Sequence, residues 1–369
     1  MRKLVLAAFL FVSTISTNSL ADIKMGIILG FTGPIESLTP AMANSAELAF
    51  NEASNSGKLL GGKKISVERA DSTCVDSAAA TTAAEGLVSN GVVAIMGADC
   101  SGVTGAIATN VAVPNGVVMI SPSATSPGLT DLNDNGYFFR TAPSDARGGQ
   151  ILADITKDRK IKSVAITYTN NDYGKGLADV YKAAVEGHGI KVTAVAAHED
   201  GKADYSAEVA TLASAGGDAV AVIGYIDQGG KGIIQASLDS GAFDVFILSD
   251  GMIGDSLTDN FGKALNKSFG SLPGSTGKGA GVFADVAKAA GIDSSGPYTG
   301  ESYDAAALIT LAMQAGGKAD RATIQQNVMA VANAPGKKIY PGELGKALDL
   351  LAKGKAVNYE GATGVEFTD

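Results

Sequence analysis

The sequence predicts an α/β protein of two doubly wound lobes with a ligand cleft between them. Three observations lead there. A chain of 369 residues exceeds one ordinary hydrophobic core. Apolar strands alternate with helices from residue 23 onward, and the alternation pauses after residue 141 and begins again at 163.

In the first run, residues 23–29, 65–69, 92–96, 117–120 and 137–141 read as strands. Residues 40–55 and 77–89 read as helices, and a third begins near Gly102. In the second run the strands are 163–168, 191–196, 219–223 and 245–248, and the helices are 174–186, 205–213 and 229–240. Short apolar strands separated by helices imply parallel sheets covered on both faces. Residues 270–281, rich in Gly, Ser and Pro, read as a crossing or surface loop. The helices that follow, 281–290, 302–315 and 322–332, have no strand between them and are expected to return to the first lobe. Residues 22–141 and 274–338 are therefore assigned to the first lobe, and 142–273 and 339–369 to the second. Several crossings between lobes make a hinge, and ligands of such sheets sit at the carboxyl ends of the strands.

The N-terminus sets the compartment. Arg2 and Lys3 precede an apolar, uncharged run over residues 4–15, and Ser19-Leu20-Ala21 offers small residues for cleavage. The run is too short for the ~20 residues that span a bilayer. Residues 1–21 are thus expected to be a signal peptide, leaving a soluble chain that starts at Asp22. With no cysteine at that position, lipid attachment is not expected.

The formal net charge of -9, two units more negative once Arg2 and Lys3 are removed, opposes binding to nucleic acid or anionic membranes. Cys74 and Cys100 are the only cysteines. In an oxidising compartment such a pair is expected to form a disulfide. It would close a loop of about 27 residues and contribute about 3.5 kcal/mol on the chain-entropy model. Two cysteines and two histidines have no metal-ligand spacing.

Motifs for catalysis are missing. In residues 224–231 the first glycine lies one residue too far from Lys231 for a phosphate loop, and Gly232 stands where Ser or Thr is needed. The turn Gly30-Phe31-Thr32-Gly33-Pro34 fails the dinucleotide spacing, and its proline removes a backbone donor. No Gly-x-Ser-x-Gly elbow occurs, and His188 and His198 are expected to be solvated. No catalytic residue or cofactor is assigned, and the chain is read as a binding protein.

Several loops at strand ends carry a more specific pattern. Asp71-Ser72-Thr73-Cys74, Gly97-Ala98-Asp99-Cys100-Ser101 and Ile120-Ser121-Pro122-Ser123-Ala124-Thr125-Ser126-Pro127 resemble the first lobe of the leucine/isoleucine/valine-binding family. Asn171-Asp172-Tyr173-Gly174-Lys175-Gly176 and Gly224-Tyr225 are similar to its second lobe, and Tyr303-Asp304-Ala305 to a late helix. The resemblance implies a type I periplasmic binding protein fold in the periplasm. It also implies an amino acid as ligand and the membrane permease of an ABC transporter as partner.

Carried over residue by residue, the resemblance places Ser101 and Thr125, with the amides around Ser101 and Gly102, at a ligand carboxylate. An anion is favoured at a helix start. Ser123, through its carbonyl, and Asp250 are placed at the ammonium, with Ala124 between Ser123 and Thr125 in the same loop. Tyr173 and Tyr225 correspond to aromatic residues that close over the ligand, and Leu38 and Tyr298 to its side-chain wall. Glu36 and Asp227 are extra acids near this pocket, suited either to a basic or hydroxylated side chain or to surface charge. Family members often carry glutamate where Asp250 stands, which leaves the choice of amino acid open. They also continue with one more strand beyond the segment like residues 361–367, whereas this chain stops at Asp369. A sensor that binds an amide or urea-like ligand is the alternative function.

Overall fold

The computed structural model describes residues 22–368. The signal peptide expected over residues 1–21 lies outside the described residues.

The first lobe holds β1 (Ile23–Leu29), α1 (Thr39–Asn55), β2 (Ile65–Asp71), α2 (Ser77–Ser89), β3 (Ala94–Gly97), α3 (Ser101–Ile107), β4 (Val118–Ser121) and β5 (Phe138–Arg140). Its five strands are parallel in the order β2-β1-β3-β4-β5. The second lobe holds α4 (Asp145–Asp158), β6 (Ser163–Thr169), α5 (Asp172–Gly187), β7 (Lys191–His198), α6 (Ser206–Ala215) and β8 (Ala219–Ile223). It continues with α7 (Gly229–Ser240), β9 (Phe246–Leu248), α8 (Asp255–Phe261) and β10 (Phe269–Gly270). The sheet order β10-β9-β8-β6-β7 repeats the winding of the first lobe strand for strand. Both sheets therefore reverse direction next to their first strand, between β1 and β3 and between β6 and β8. The crevice for a ligand opens at such a switch point.

Local sequence explains the elements. All five residues of β8, Ala-Val-Ala-Val-Ile, are buried because helices cover both faces of the sheet. Asp76 accepts hydrogen bonds from the amides of Ala78 and Ala79 to start α2, and Asn171 caps α5 through the amide of Gly174. In β3, Gly97 (φ +125°) passes so near β1 that a Cβ would lie 2.0 Å from the Ile28 carbonyl oxygen.

The chain then returns to the first lobe through α9 (Lys278–Ala289), α10 (Thr299–Gly316) and α11 (Arg321–Ala332). Helix α10 is buried from Thr299 to Gln314 except at Gly300, so it is a core helix covered on nearly every side. Its many alanines let α1 and α11 approach it closely. Beyond it come β11 (Lys337–Ile339), α12 (Leu344–Ala352) and β12 (Val357–Tyr359), which the sequence reading did not separate into elements. Helix α4 was also unassigned there, although Ser144 caps it through the amide of Ala146.

The expected place of residues 339–369 needs correction. Leu344, Leu348, Val357 and Tyr359 share one buried core with Phe50 and Leu308 of the first lobe. Two carboxylates, half-buried Glu52 and fully buried Asp304, fix this docking. Glu52 on α1 accepts from the amides of Gly342 and Leu344. Asp304 on α10 accepts from the Tyr359 hydroxyl, the Ala362 amide, and the amide and hydroxyl of Thr363. The described residues up to 368 thus end on the first lobe, and they cross between the lobes twice, at 141–144 and 271–277.

Candidate functional site

The lobes meet at the carboxyl ends of their strands. One cavity there is lined by Ile35 and Leu38 after β1, Asp99, Cys100 and Ser101 after β3, and Ser123 after β4. From the second lobe come Tyr173 after β6, Tyr225 after β8, and Asp250 and Gly251 after β9. Met42 of α1 and Tyr298 at the start of α10 complete the wall. Its volume is about 30 Å³, room for one or two waters.

Seven of the residues expected at a ligand line this cavity: Leu38, Ser101, Ser123, Tyr173, Tyr225, Asp250 and Tyr298. Ala124 and Thr125 are buried but do not reach its wall. Their loop turns inward after Ser123, with the Ala124 amide donating to Ser121 Oγ and the Thr125 carbonyl accepting from the Asp145 amide. The Thr125 hydroxyl is buried beside the Asp145 carboxyl, whose pKa it helps to lower.

Asp250 is the electrostatic centre. The Tyr173 hydroxyl donates to its Oδ1 at 2.7 Å, and the Tyr298 hydroxyl donates to its Oδ2 from the opposite lobe. Burial raises the pKa of Asp250, and these two hydrogen bonds oppose the rise. Burial and then the charge of Asp250 hold Tyr173 and Tyr298 well above the usual tyrosine range, so both hydroxyls stay protonated donors. Tyr298 adopts left-handed backbone, φ +58°, which costs a non-glycine residue about 1–2 kcal/mol. That conformation aims its ring across the cleft. Tyr173 and Tyr225 stack with centroids 5.2 Å apart. Gly251 lets this corner close, because a Cβ there would lie 2.6 Å from the Gly224 carbonyl and 3.1 Å from the Tyr173 hydroxyl.

The first-lobe side is held by Asp99, whose carboxylate accepts from the amides of Gly30 (2.6 Å) and Cys100 (2.9 Å) and from the Ser72 hydroxyl (3.1 Å). Burial pushes its pKa up against these bonds. Cys74 and Cys100 are joined as a disulfide, tying the loop after β2 to the residue before Ser101. Ser101 Oγ accepts from the Ser126 amide at 3.1 Å, so the serine both starts α3 and braces the neighbouring loop.

Some functional residues were not anticipated. Asp99 lies within Gly97-Ala98-Asp99-Cys100-Ser101, where nothing in its spacing distinguishes a brace from a ligand contact. Asp145 is buried beside the hinge. Burial first, then the charge of Asp250, pushes its carboxyl well above the usual range. Only the tertiary fold brings those two acids together. Glu36 and Asp227 do not line the cavity. The expectation for the histidines is corrected in part. His198 is buried between Thr167, at 2.8 Å from Nδ1, and the ring of Tyr205, and burial lowers its pKa to about 4. Its strand ends beneath the loop after β8, which shuts out water. Among the described residues no group of three or more His, Cys, Asp or Glu side chains is arranged to hold a metal, and no helix is long and apolar enough to cross a membrane.

Two wound lobes whose switch-point loops share one cavity define the class of two-lobe binding proteins, and comparison with known proteins gives the family. Residues 22–345 match the model of the periplasmic binding protein family, and the chain belongs to that family, in its leucine/isoleucine/valine-binding branch. It is 33% identical over 228 residues to the Leu/Ile/Val-binding protein homolog 3 of Brucella melitensis, covering 61% of each chain. It is 28% identical over 330 residues to the leucine-, isoleucine-, valine-, threonine- and alanine-binding protein of Pseudomonas aeruginosa, covering 88% of this chain and 87% of that one. Among solved structures, the branched-chain amino acid transporter substrate binding protein LivJ of Streptococcus pneumoniae, in complex with isoleucine, superposes with a TM-score of 0.73 at 24% identity. That superposition covers 85% of this chain and 89% of that one. At that identity the likeness is one of fold. These relatives are binding proteins rather than enzymes.

Proposed function

We propose that this protein captures an amino acid in the periplasm by closing its lobes and delivers it to the membrane permease of an ABC importer. The observation that carries the reading is Asp250, a buried carboxylate bonded by one tyrosine from each lobe and lining the shared cavity. An ammonium removed from water needs such a countercharge, or several kcal/mol are lost. In this reading the ligand ammonium takes a place at Asp250 and the Ser123 carbonyl. The carboxylate takes hydrogen bonds from the Ser101 hydroxyl and the amides at the start of α3, with Thr125 behind the cavity wall. Ile35, Leu38 and Met42 offer an aliphatic wall to the side chain. The ligand touches the first lobe in the open form and both lobes in the closed form, and that difference in contacts drives closure.

Asp250→Asn tests the reading, since the amide keeps the shape and removes the charge. Breaking a buried charge pair costs about 3–5 kcal/mol, so calorimetric affinity for L-leucine or L-alanine is expected to fall by at least 100-fold. Unchanged affinity would mean that the ligand is neutral at this position, as an amide or urea-like solute is.

A further inference from the structure

We infer that Asp227 is a clasp between the lobes, a positioning residue that holds the closed form without touching the ligand. The inference rests on the closure reading above. Asp227 follows β8 on the second lobe, and its partners lie on the first, in the loop after β1. Its amide donates to the Pro34 carbonyl at 2.9 Å, and its Oδ2 accepts from the Ser37 amide at 2.8 Å. Oδ1 accepts from the Ser256 hydroxyl at 3.0 Å, which orients the carboxylate from its own lobe.

Each carboxylate oxygen thus has a partner, and the side chain lies outside the cavity wall. That arrangement suits a brace rather than a selector of basic side chains. The contact on the first lobe is made wholly to backbone, so it is indifferent to what the cleft contains. It is also made across the mouth, so parting of the lobes breaks it. The residues next to it close with it. Leu38, immediately after Ser37, packs against the cores of both lobes. At Gly254 a Cβ would lie 2.9 Å from both Leu38 Cδ2 and Ile226 Cδ1. Only a residue without a side chain lets these two apolar groups meet beside the clasp. On the opposite rim the lobes touch through the Ser126 hydroxyl, which donates to the Asp172 carbonyl at 3.0 Å. Asp227 therefore secures the rim that overlies Ile35 and Leu38.

The test compares the intact protein with Asp227→Ala and Asp227→Asn, using L-leucine, L-alanine and L-lysine as probes. Equilibrium affinity, stopped-flow release and the ligand-free melting temperature are measured for each. Loss of a partly exposed hydrogen bond (about 0.5–1.5 kcal/mol) weakens binding about 2- to 12-fold. For Asp227→Ala that factor is expected to be equal for L-leucine and L-alanine, to appear as faster release, and to leave the ligand-free melting temperature unchanged. Asp227→Asn keeps an oxygen that accepts from the Ser37 amide, so it is expected to restore most of the affinity. Wild-type affinity and release in Asp227→Ala would overturn the clasp. So would a loss confined to L-lysine, or a lower ligand-free melting temperature with no change in release. Wild-type protein that binds none of the probes would overturn the closure reading and the clasp with it, an outcome distinct from a variant that behaves like the wild type.

Discussion

At the scale of single residues, the buried acids decide how the protein responds to pH. Glu301, in the first turn of α10, is 7% exposed, and burial raises its pKa to about 8. Its ordinary value is 4.5. Between those values the folded chain holds a proton that the unfolded chain has lost, so this group makes stability fall as pH rises from 4.5 to 8. His198 acts with the opposite sign. Its folded pKa near 4 lies below the ordinary 6.5, so stability rises with pH between those values. The difference between Glu301→Gln and the wild type isolates the first effect. The variant is expected to be progressively the more stable of the two as pH rises from 4.5 to 8, in paired urea titrations. A constant difference across that range would contradict a buried, proton-holding Glu301. The two roles differ in legibility too. Tyr173, Tyr225 and Asp250 could be named from the sequence because their strand-end loops resemble those of the leucine/isoleucine/valine-binding family. Glu301 and Asp145 could not, since a carboxylate within a helix or at its first turn is normally solvated and only the packing of the hinge buries these two.

At the scale of elements, the parallel strands were legible because burial on both faces leaves continuous apolar runs. The strand of residues 219–223 and the helices 77–89 and 229–240 have the bounds the sequence predicts. Short β10, β11 and β12 were hidden, since two or three residues carry no periodicity. The docking of α12 was hidden for another reason: its apolar face is plain, but which lobe it covers depends on Glu52 far back in the chain. Between elements, the disulfide joins the loops after β2 and β3, with a sequence separation of 26. Replacing both cysteines by serine is expected to cost about 3.5 kcal/mol, measured by denaturant unfolding of the ligand-free protein. A loss below about 1 kcal/mol would mean that the unfolded chain keeps structure that already restricts those loops.

At the scale of the whole molecule, the same winding occurs twice, and the two copies face each other at their switch points. That symmetry gives each lobe half of a site: polar loop groups from the first, two tyrosines and a carboxylate from the second. Tyr298 reaches from the first lobe to that carboxylate, and Asp227 reaches back from the second lobe to the first. Under the proposed function, capture and release both require the lobes to part around this cavity of about 30 Å³. The central claim is that an amino acid is what they close upon. The most direct test is a thermal-shift screen of the purified chain from Asp22 against the twenty amino acids, with amides, urea and sugars as controls. At 100 times its dissociation constant a ligand stabilises the folded state by about 2.7 kcal/mol. The account predicts a shift with a subset of amino acids, aliphatic side chains foremost, and none with the controls. A shift with amides, urea or sugars, and with no amino acid, would contradict it.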